Sequence, residues 1–549
     1  MPTIQAHVVD VLNRRLFDGS VQVADGRIVS LTPGPVSPQA PYLLPGFVDS
    51  HIHIESTLLL PEHFARLAVA QGTVAVVTDP HEIANVLGIQ GIDFMLQSAS
   101  KVRFHFSFGI PSGVPCTDAF ETAGARISAA DVQQLLPRPE FYGLAEMMNY
   151  PGLLAGDPET CLKVSHTLAA GKVVDGHAPG LTGDDARRYV QAGISTDHEL
   201  YSLPHAIERI ALGQKVLIRE GSAARNFDEL CPLLSNEDNL GMVMFCTDDI
   251  YPDELLQGHI NQLVARAVDK FGPDHLWNIL HAACVAPVQH YGLPVGLLQP
   301  SQSADFILVS DLTRFQVLQT WVGGQPVFAD GHECVVPLHS EPTLLTPNQF
   351  AAHPITESQL RVPSRGEDLS VIVSQEQQLL TDVLHAAPLV INGAAVPDPS
   401  RDILKIVVLN RYSPAQPAVG FIQGFGLQRG AIASTIAHDS HNIIAVGASD
   451  AALVQAINHL VHSQGGICVA DGSQVHSLSL PVAGLMSPLP GAEVAQAHVR
   501  LKARAHELGC RYQAPFMTLA FMALPVIPKL KITDRGLFDV TRFQFVGQD

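Results

Sequence analysis

The sequence predicts an α/β protein built on a (β/α)8, or TIM, barrel, accompanied by a small β-sandwich and a C-terminal α+β domain. Eight short apolar runs succeed one another after Pro45, and each is followed by polar residues and a helical stretch. Strands that alternate with helices at this spacing are typical of a parallel barrel. Turn-rich segments with β character lie before and after these units, which indicates that the barrel interrupts a smaller β unit.

The β segments on either side of the barrel are predicted to belong together. The first 45 residues contain short strand-like stretches, and Asp25-Gly26 between two of them favours a β-hairpin. Comparable β character returns near residue 295. We therefore predict one β-sandwich formed by residues 1–45 and 295–335, which a barrel over residues 46–294 splits.

The barrel strands are predicted from apolar runs that end at polar residues. Active sites of parallel barrels lie at the C-terminal ends of the strands, so the polar residues after the runs should share one rim. The eight runs are residues 46–48, 73–77, 102–108, 141–145, 172–174, 193–195, 215–218 and 242–246.

The remainder of the chain is predicted to form an α+β domain over residues 345–549. Proline-rich and polar residues 336–368 are typical of a linker that leads into it. We expect strands over residues 403–409 and 443–446, and helices over residues 451–463 and 492–508.

Composition and charge exclude several classes of protein. The 549 residues are 46% hydrophobic and 16% charged, which suits a compact globular protein. Acidic residues outnumber basic ones by 53 to 33, so neither nucleic acid nor an anionic membrane is expected as a partner. Eight scattered cysteines, no export signal and no apolar stretch near the ~20 residues that span a bilayer favour the cytoplasm.

Polar residues after five of the runs predict a metal site. His51 and His53 are two residues apart, so in an extended strand their side chains point the same way and can hold one cation. Taken singly, such residues have ordinary roles: His177 as a packed histidine, or Asp248 as the N-cap of a helix after Pro252. Together they form a nitrogen and oxygen donor set for one or two divalent metals. The six donors are His51, His53, Glu146, His177, His198 and Asp248.

Longer runs resemble known families. Residues 45–53 (PGFVDSHIH), the split β unit and the later His, His and Asp resemble the amidohydrolase superfamily, although Glu146 stands where many members have a carboxylated lysine. Nearly the whole chain resembles the adenine deaminase family within it. The runs that carry this resemblance are 51–56 (HIHIES), 78–88 (TDPHEIANVLG), 146–152 (EMMNYPG), 175–180 (DGHAPG), 197–199 (DHE), 430–434 (GAIAS), 437–442 (AHDSHN), 515–519 (PFMTL) and 524–528 (LPVIP).

The resemblance implies hydrolytic deamination of adenine to hypoxanthine and ammonia at a centre of two divalent metals, Mn²⁺ or Fe²⁺, with Zn²⁺ possible. It implies that His51, His53 and Asp248 hold the first metal, His177 and His198 the second, and that Glu146 bridges both. Hydroxide would attack C6 of the purine while Asp248 relays a proton to the departing amine, so Asp248 and Glu146 are the expected catalytic groups. A homo-oligomer is expected, with a dimer favoured.

A purine also needs hydrogen-bonding partners for its ring nitrogens. Candidates lie at the end of the second strand, beside two metal ligands, and in a cluster outside the barrel that we expect to close over the pocket. Loop stabilisation, or a capped helix start for the outer cluster, is the alternative role. The candidate substrate-binding residues are Asp79, His81, Glu82, Glu55, Glu199, His438, Asp439 and His441.

Two other functions stay open at this stage. The metal donors determine the nucleophile but not the leaving group, so a different aminopurine or a cyclic amide is an alternative substrate. An inactive binding protein on the same scaffold should have lost at least one donor, and all six are present. The zinc site of cytidine deaminases is excluded, because the chain has no C-x-x-C.

Overall fold

The chain begins with four strands. The computed structural model describes residues 2–334, 346–364, 367–376 and 378–546. Strands β2 and β3 pair antiparallel across Asp25 and Gly26, whose φ angles of 50° and 76° are those of a tight hairpin turn, which confirms the predicted hairpin. The four strands are β1 (Thr3–Asp10), β2 (Arg15–Ala24), β3 (Arg27–Pro33) and β4 (Tyr42–Pro45).

Eight parallel strands follow, one for each predicted apolar run. They are β5 (Phe47–Ile52), β6 (Thr73–Thr78), β7 (His105–Ile110), β8 (Phe141–Met147), β9 (Val173–Gly176), β10 (Thr196–Asp197), β11 (Lys215–Arg219) and β12 (Val243–Cys246). Strands β5 to β9 form one curled parallel sheet and β10 to β12 a second. Single parallel bridges, from Val174 to Ile194 and from Ile52 to Asp248, join the two sheets at both ends.

Two of these strands begin three residues later than the sequence predicted, and the other starts agree within one residue. Strand β10 starts at Thr196 rather than at residue 193, because Gly193 has φ 101° and belongs to the turn that precedes the strand. Strand β7 starts at His105 rather than at residue 102. The predicted run at 102–108 thus began three residues too early, and the run at 193–195 lies wholly in the segment before β10.

Helices surround the parallel strands. All residues of β5 and β6 are buried, as expected for parallel strands that are covered on both faces. The helices of this part are α1 (Pro61–Ala70), α2 (His81–Leu87), α3 (Ile89–Ala99), α4 (Ala129–Leu135), α5 (Tyr150–Ala155), α6 (Pro158–Ala169), α7 (Gly183–Gln191), α8 (Leu203–Ala211), α9 (Phe227–Leu230), α10 (Pro252–Gln257), α11 (Ile260–Phe271), α12 (Leu276–Leu280) and α13 (Ala286–Tyr291).

Four later strands return to the N-terminal ones, as the sequence predicted. They are β13 (Phe306–Val309), β14 (Val317–Val322), β15 (Gln325–Ala329) and β16 (His332–Glu333). Strand β13 pairs antiparallel with β4, and all eight strands form a single sheet in the order β16-β15-β14-β13-β4-β1-β2-β3. The chain thus leaves this sheet through β4 and rejoins it through β13.

The described residues from 346 onward form what we call the C-terminal unit. Residues 336–345 and 365–366 of the predicted linker lie outside the described residues. The predicted end of the β-sandwich at residue 335 and the predicted start of the C-terminal domain at residue 345 lie outside them as well. The unit contains β17 (Val362–Pro363), β18 (Leu369–Val373), β19 (Asp382–Ala386), β20 (Leu389–Ile391), β21 (Ala394–Val396), β22 (Leu404–Leu409), β23 (Ala418–Gln423), β24 (Ala431–Ser434), β25 (Ile443–Gly447), β26 (Gly466–Ala470), β27 (Val475–Ser479), β28 (Leu530–Thr533), β29 (Gly536–Asp539) and β30 (Gln544–Phe545), with helices α14 (Asp450–Ser463), α15 (Gly491–Glu507) and α16 (Pro515–Ala520).

The predicted strands and helices of this unit are confirmed within about one residue. Its main sheet has the order β19-β18-β23-β22-β25-β24-β26-β27, and helix α14 packs against β24, β25 and β26. The N-terminus of α14 is capped by the Ser449 side chain, which accepts a hydrogen bond from the Ala452 amide. Within the described residues, no helix is both long and apolar enough to cross a bilayer.

The C-terminal unit packs directly on the parallel-strand part. Asp253 in α10 lies 2.7 Å from His498 Nδ1 and 2.5 Å from Lys502 Nζ, both in α15. The Asn442 side chain donates to the Thr122 carbonyl at 2.9 Å. The side of the unit that carries Asn442 therefore lies over the C-terminal ends of the strands, and the pocket described next has walls from both parts.

Candidate metal centre

The six predicted donors meet at the C-terminal ends of the parallel strands, which we call the rim. None of the six is more than 4% exposed. His51 lies in β5 and Glu146 in β8, and each of the others follows its own strand within two residues. Because parallel strands all end at the same edge, residues almost 200 positions apart become neighbours.

Glu146 occupies the middle of the rim. Its Oε2 lies 2.8 Å from His177 Nδ1 and 3.3 Å from His198 Nε2, while its Oε1 lies 3.2 Å from His53 Nε2. Burial alone would raise the pKa of this carboxyl, but the hydrogen bond from His177 and the surrounding imidazoles hold the pKa well below its usual range. Each oxygen therefore faces a different side of the centre, and the group is a carboxylate.

Asp248 faces the first histidine pair. Its Oδ1 lies 3.1 Å from His53 Nε2 and 3.4 Å from His51 Nε2. Its backbone has φ 58°, in the left-handed region that few residues other than glycine adopt. The alternative role as a helix N-cap is excluded, since Tyr251 occupies that position of α10 and no side chain caps the helix.

Two rim histidines have ring nitrogens that a cation would satisfy. His51 Nε2 and His177 Nε2 are buried and have no hydrogen-bond partner. The Asp79 backbone orients the His53 ring. His53 Nδ1 lies 3.0 Å from the Asp79 carbonyl oxygen, so Nε2 is the nitrogen that faces the rim. Buried polar atoms are nearly always paired in proteins, so this donor set fits divalent metal ions.

A buried arginine, which the sequence analysis assigned no role, also reaches the rim. Arg219 ends β11, and its Nη1 lies 2.6 Å from Glu199 Oε1 and 2.5 Å from Asp248 Oδ2. Burial would raise the pKa of Glu199, but the Arg219 charge lowers it to about 2. A basic residue at the end of an apolar strand was the signal available in the sequence, but nothing local indicated its partners.

The substrate-binding candidates at the end of the second parallel strand, together with Glu55 after the first, separate into two groups. His81 Nδ1 lies 3.2 Å from Asp79 Oδ2 and 3.5 Å from Glu146 Oε1, so both His81 and Asp79 adjoin the rim. Glu82 and Glu55 point away from it. Glu82 Oε1 accepts a hydrogen bond from Ser56 Oγ at 2.7 Å, and Glu55 accepts one from the Ile83 amide at 3.2 Å.

The C-terminal unit places two of its predicted residues against the rim. His438 and Asp439 lie in the loop between β24 and β25, where no helix begins, so the capped-helix alternative is wrong. Asp439 Oδ1 lies 3.6 Å from His81 Nε2. The His438 ring stacks on Phe521 with centroids 4.3 Å apart and planes 12° apart. The third predicted residue of the loop, His441, is farther back and fully buried.

A narrow pocket opens onto the rim between the two parts of the chain. One wall is polar and consists of rim residues together with His81, Glu199 and Asp439. The opposite wall is apolar and comes from the C-terminal unit. Its side chains are Leu379, Phe521, Leu524 and Ile527. A polar wall that faces an apolar wall suits a small flat molecule with several hydrogen-bonding atoms.

Comparison with known proteins places the chain in a family. The model described as "Amidohydrolase family" matches residues 42–327, and that described as "Adenine deaminase C-terminal domain" matches residues 378–544. An adenine deaminase of Methanosarcina barkeri is 48% identical over 555 residues, covering 100% of this chain and 99% of that protein. The chain belongs to the adenine deaminase family. Another adenine deaminase, from Salinibacter ruber, is also 48% identical and covers 100% of this chain and 98% of that protein.

Membership of the adenine deaminase family confirms the resemblance predicted from the sequence runs. The amidohydrolase match includes all six rim donors, and the C-terminal match includes His438, Asp439 and His441. A solved structure, the N-acetyl-D-glucosamine-6-phosphate deacetylase from Mycobacterium smegmatis, is 17% identical with a TM-score of 0.45, covering 60% of this chain and 100% of that one.

Proposed function

We propose that this member of the adenine deaminase family converts adenine and water to hypoxanthine and ammonia. The observation that carries the proposal is the buried rim, where four imidazoles and two carboxylates meet and all of them except His51 line one pocket. Relatives named adenine deaminase that are 48% identical over the whole chain support the choice of substrate. The pocket supports it as well, because its apolar wall and its polar wall match a flat purine base.

Two divalent cations would be held at the rim, Mn²⁺ or Fe²⁺ by family resemblance, with Zn²⁺ possible. His51, His53 and Asp248 would hold one, His177 and His198 the other, and the two oxygens of Glu146 would reach both. The unpartnered Nε2 of His51 supports this assignment, as does the approach of His177 Nδ1 and His198 Nε2 to Glu146 Oε2. When bound, such cations lower the pKa of water toward neutrality and so supply a hydroxide nucleophile.

Asp248 is proposed to carry the proton. As a carboxylate it accepts a proton from the attacking water, and it then donates that proton to the leaving amine as the C6–N bond breaks and the C6–O bond remains. Burial would raise the pKa of Asp248, but the charge of Arg219 holds it well below its usual range, so the accepting form is present at neutral pH. Ammonia leaves, and the ring tautomerises to hypoxanthine.

Substrate contacts are proposed for the polar groups that line the pocket. His81, Glu199 and Asp439 offer donors and acceptors for the ring nitrogens, with Asp79 holding His81 and with the His438 ring beside them. The remaining predicted residues, Glu55, Glu82 and His441, do not line this pocket. Their contact with substrate stays a prediction.

The domain layout is proposed along the predicted boundaries. We propose that β5 to β12 close into a full (β/α)8 barrel over residues 46–294, which the bridges at both ends of the two sheets support. Residues 1–45 and 295–335 would be the β-sandwich domain and residues 345–549 the C-terminal domain. The homodimer and the cytoplasmic location stay predictions.

A substrate panel tests the proposed function. We expect the purified, metal-loaded protein to release ammonia from adenine with a kcat/KM at least a hundredfold above that for guanine, adenosine or dihydroorotate. The matched control is the protein treated with a chelator, and readdition of metal should restore the activity. Turnover of dihydroorotate in preference to adenine would replace the proposal with a cyclic-amide hydrolase, and no turnover of any substrate would overturn it.

A further inference from the structure

A second group of possible metal ligands lies behind the rim, where the C-terminal unit meets the segment after β6. The group consists of Glu82 in α2 together with His438 and His441 in the loop between β24 and β25. One ligand atom from each side chain lies within 4.8 Å of the other two. All three residues are buried, and Glu82 and His441 are 0% exposed. We call these three residues the interface cluster.

The interface cluster contains buried polar atoms without partners. Both ring nitrogens of His441 lack a hydrogen bond, and so does Glu82 Oε2. An unpaired buried polar group destabilises the folded protein, and a buried unpaired charge does so more strongly. The two nitrogens of one imidazole point apart, so one His441 nitrogen and the Glu82 carboxylate are the groups that a ligand at the cluster would satisfy.

The loop that carries the two histidines is held firmly in place. The His441 amide donates to the Ala437 carbonyl at 2.7 Å, and the buried Arg411 guanidinium donates to the His441 carbonyl at 3.2 Å. The His438 amide donates to the Ala520 carbonyl at 3.1 Å. Backbone contacts thus fix the loop that carries both imidazoles. The two His441 ring nitrogens have no partner, while His438 Nδ1 lies 3.5 Å from Asp439 Oδ1.

The three residues of the cluster differ in charge state. Burial would lower the pKa of His438, but its hydrogen bond to Asp439 and the charge of Glu82 raise it, so a cation would displace a proton from this imidazole. Burial, followed by the charge of His438, lowers the pKa of His441 well below its ordinary value, so this imidazole is neutral and keeps a lone pair for coordination. Burial raises the pKa of Glu82, which is the response of a carboxyl that lacks a full counter-charge. A bound divalent ion would supply that charge.

We propose that Glu82, His438 and His441 bind a further divalent cation, separate from the two at the rim. Two imidazoles and one carboxylate are ligands typical of Zn²⁺, Fe²⁺ or Mn²⁺, with water completing the coordination. Because the ligands come from both parts of the chain, this cation fastens the C-terminal unit to the rim. His81 lies between the two sites, with Nδ1 3.5 Å from Glu146 Oε1 and Nε2 3.6 Å from Asp439 Oδ1.

Metal analysis of matched variants tests the proposal. We expect His441→Leu and Glu82→Gln each to contain one metal ion fewer per subunit than the parent protein. The control is His498→Leu, which removes an equally buried histidine of the same unit that contacts Asp253 instead, and which should keep the parent's count. The result is a difference between proteins, so it does not depend on the number of ions at the rim.

Anomalous diffraction from crystals of the unaltered protein gives a second measurement that needs no variant to fold. We expect a peak within coordination distance of all three side chains of the interface cluster, in addition to density at the rim. Equal metal counts in the parent and both cluster variants, or a rim peak without a peak at the cluster, would overturn the proposal. Neither result bears on deamination, which ammonia release from adenine tests separately.

Discussion

Arg219 and Asp248 form an ion pair inside the protein, with Arg219 Nη1 2.5 Å from Asp248 Oδ2 and the arginine side chain 0% exposed. The two oxygens of the Asp248 carboxylate therefore have different partners. Oδ2 is held by the guanidinium, while Oδ1 faces His51 and His53. The arginine also binds Glu199, so one cation orients two buried acids at the pocket.

The first prediction concerns Asp248→Asn. An amide can still offer an oxygen to a metal, but it cannot accept a proton from water and pass it on. We expect turnover of adenine to fall on the order of 10²–10⁴-fold, while much of the metal content stays. Ammonia release and elemental analysis measure both quantities. Activity within tenfold of the parent would show that another group carries the proton.

The second prediction concerns the bridge. Glu146→Gln removes a negative charge that two nearby cations need, so the ion held only by His177 and His198 should leave first. We expect about one metal ion fewer per subunit and a loss of deamination that follows the metal loss. If the variant keeps the parent's metal count and near-parent activity, Glu146 is a neighbour of the centre rather than its bridge.

The third prediction concerns stability. Arg219→Gln leaves Glu199 and Asp248 buried without their cation, and breaking a buried ion pair on one side costs about 3–5 kcal/mol. The matched control is Arg504→Gln, which breaks an exposed i,i+3 pair with Glu507 and should cost less than about 1 kcal/mol. Urea unfolding measures both free energies. Equal losses in the two variants would contradict the role given to Arg219.

The fourth prediction concerns acid stability of the contact between α10 and α15. Burial would raise the pKa of Asp253, but the hydrogen bonds and charges of His498 and Lys502 lower it to about 2. Because the unfolded carboxyl titrates near 3.9, this contact stabilises the fold fully above about pH 4 and less as the pH falls toward 2. Asp253 is only 6% exposed, so a shift of this size corresponds to about 2 kcal/mol.

Comparing Asp253→Asn with the parent isolates this effect. We expect the difference in unfolding free energy between the two proteins to be present at pH 6 and to shrink at pH 3. Metal loss at low pH affects both proteins alike, so it cancels in the comparison. A difference that is the same at both pH values would show that Asp253 does not titrate in this range.

Much of the fold followed from local patterns. Seven of the eight predicted apolar runs overlap a parallel strand, and the run at 193–195 directly precedes one. Strands that are buried on both faces need continuous apolar stretches, and such stretches are visible in the sequence. The predicted starts of β7 and β10 were wrong, because apolar residues such as Val102 and Ile194 are buried outside the strands. Apolar character reports burial, and burial alone does not distinguish a strand from the turn before it.

The sequence by itself determined which side chains could meet at the rim, because each donor follows a strand and parallel strands end at one edge. Only the tertiary structure decided that Arg219 pairs with Asp248 and that Leu379 and Phe521 cover the pocket. It alone decided that His441 lies buried beside Glu82 with both ring nitrogens free of partners. These contacts join residues far apart in the chain, so their energies depend on how separate elements pack, and no local pattern encodes that packing.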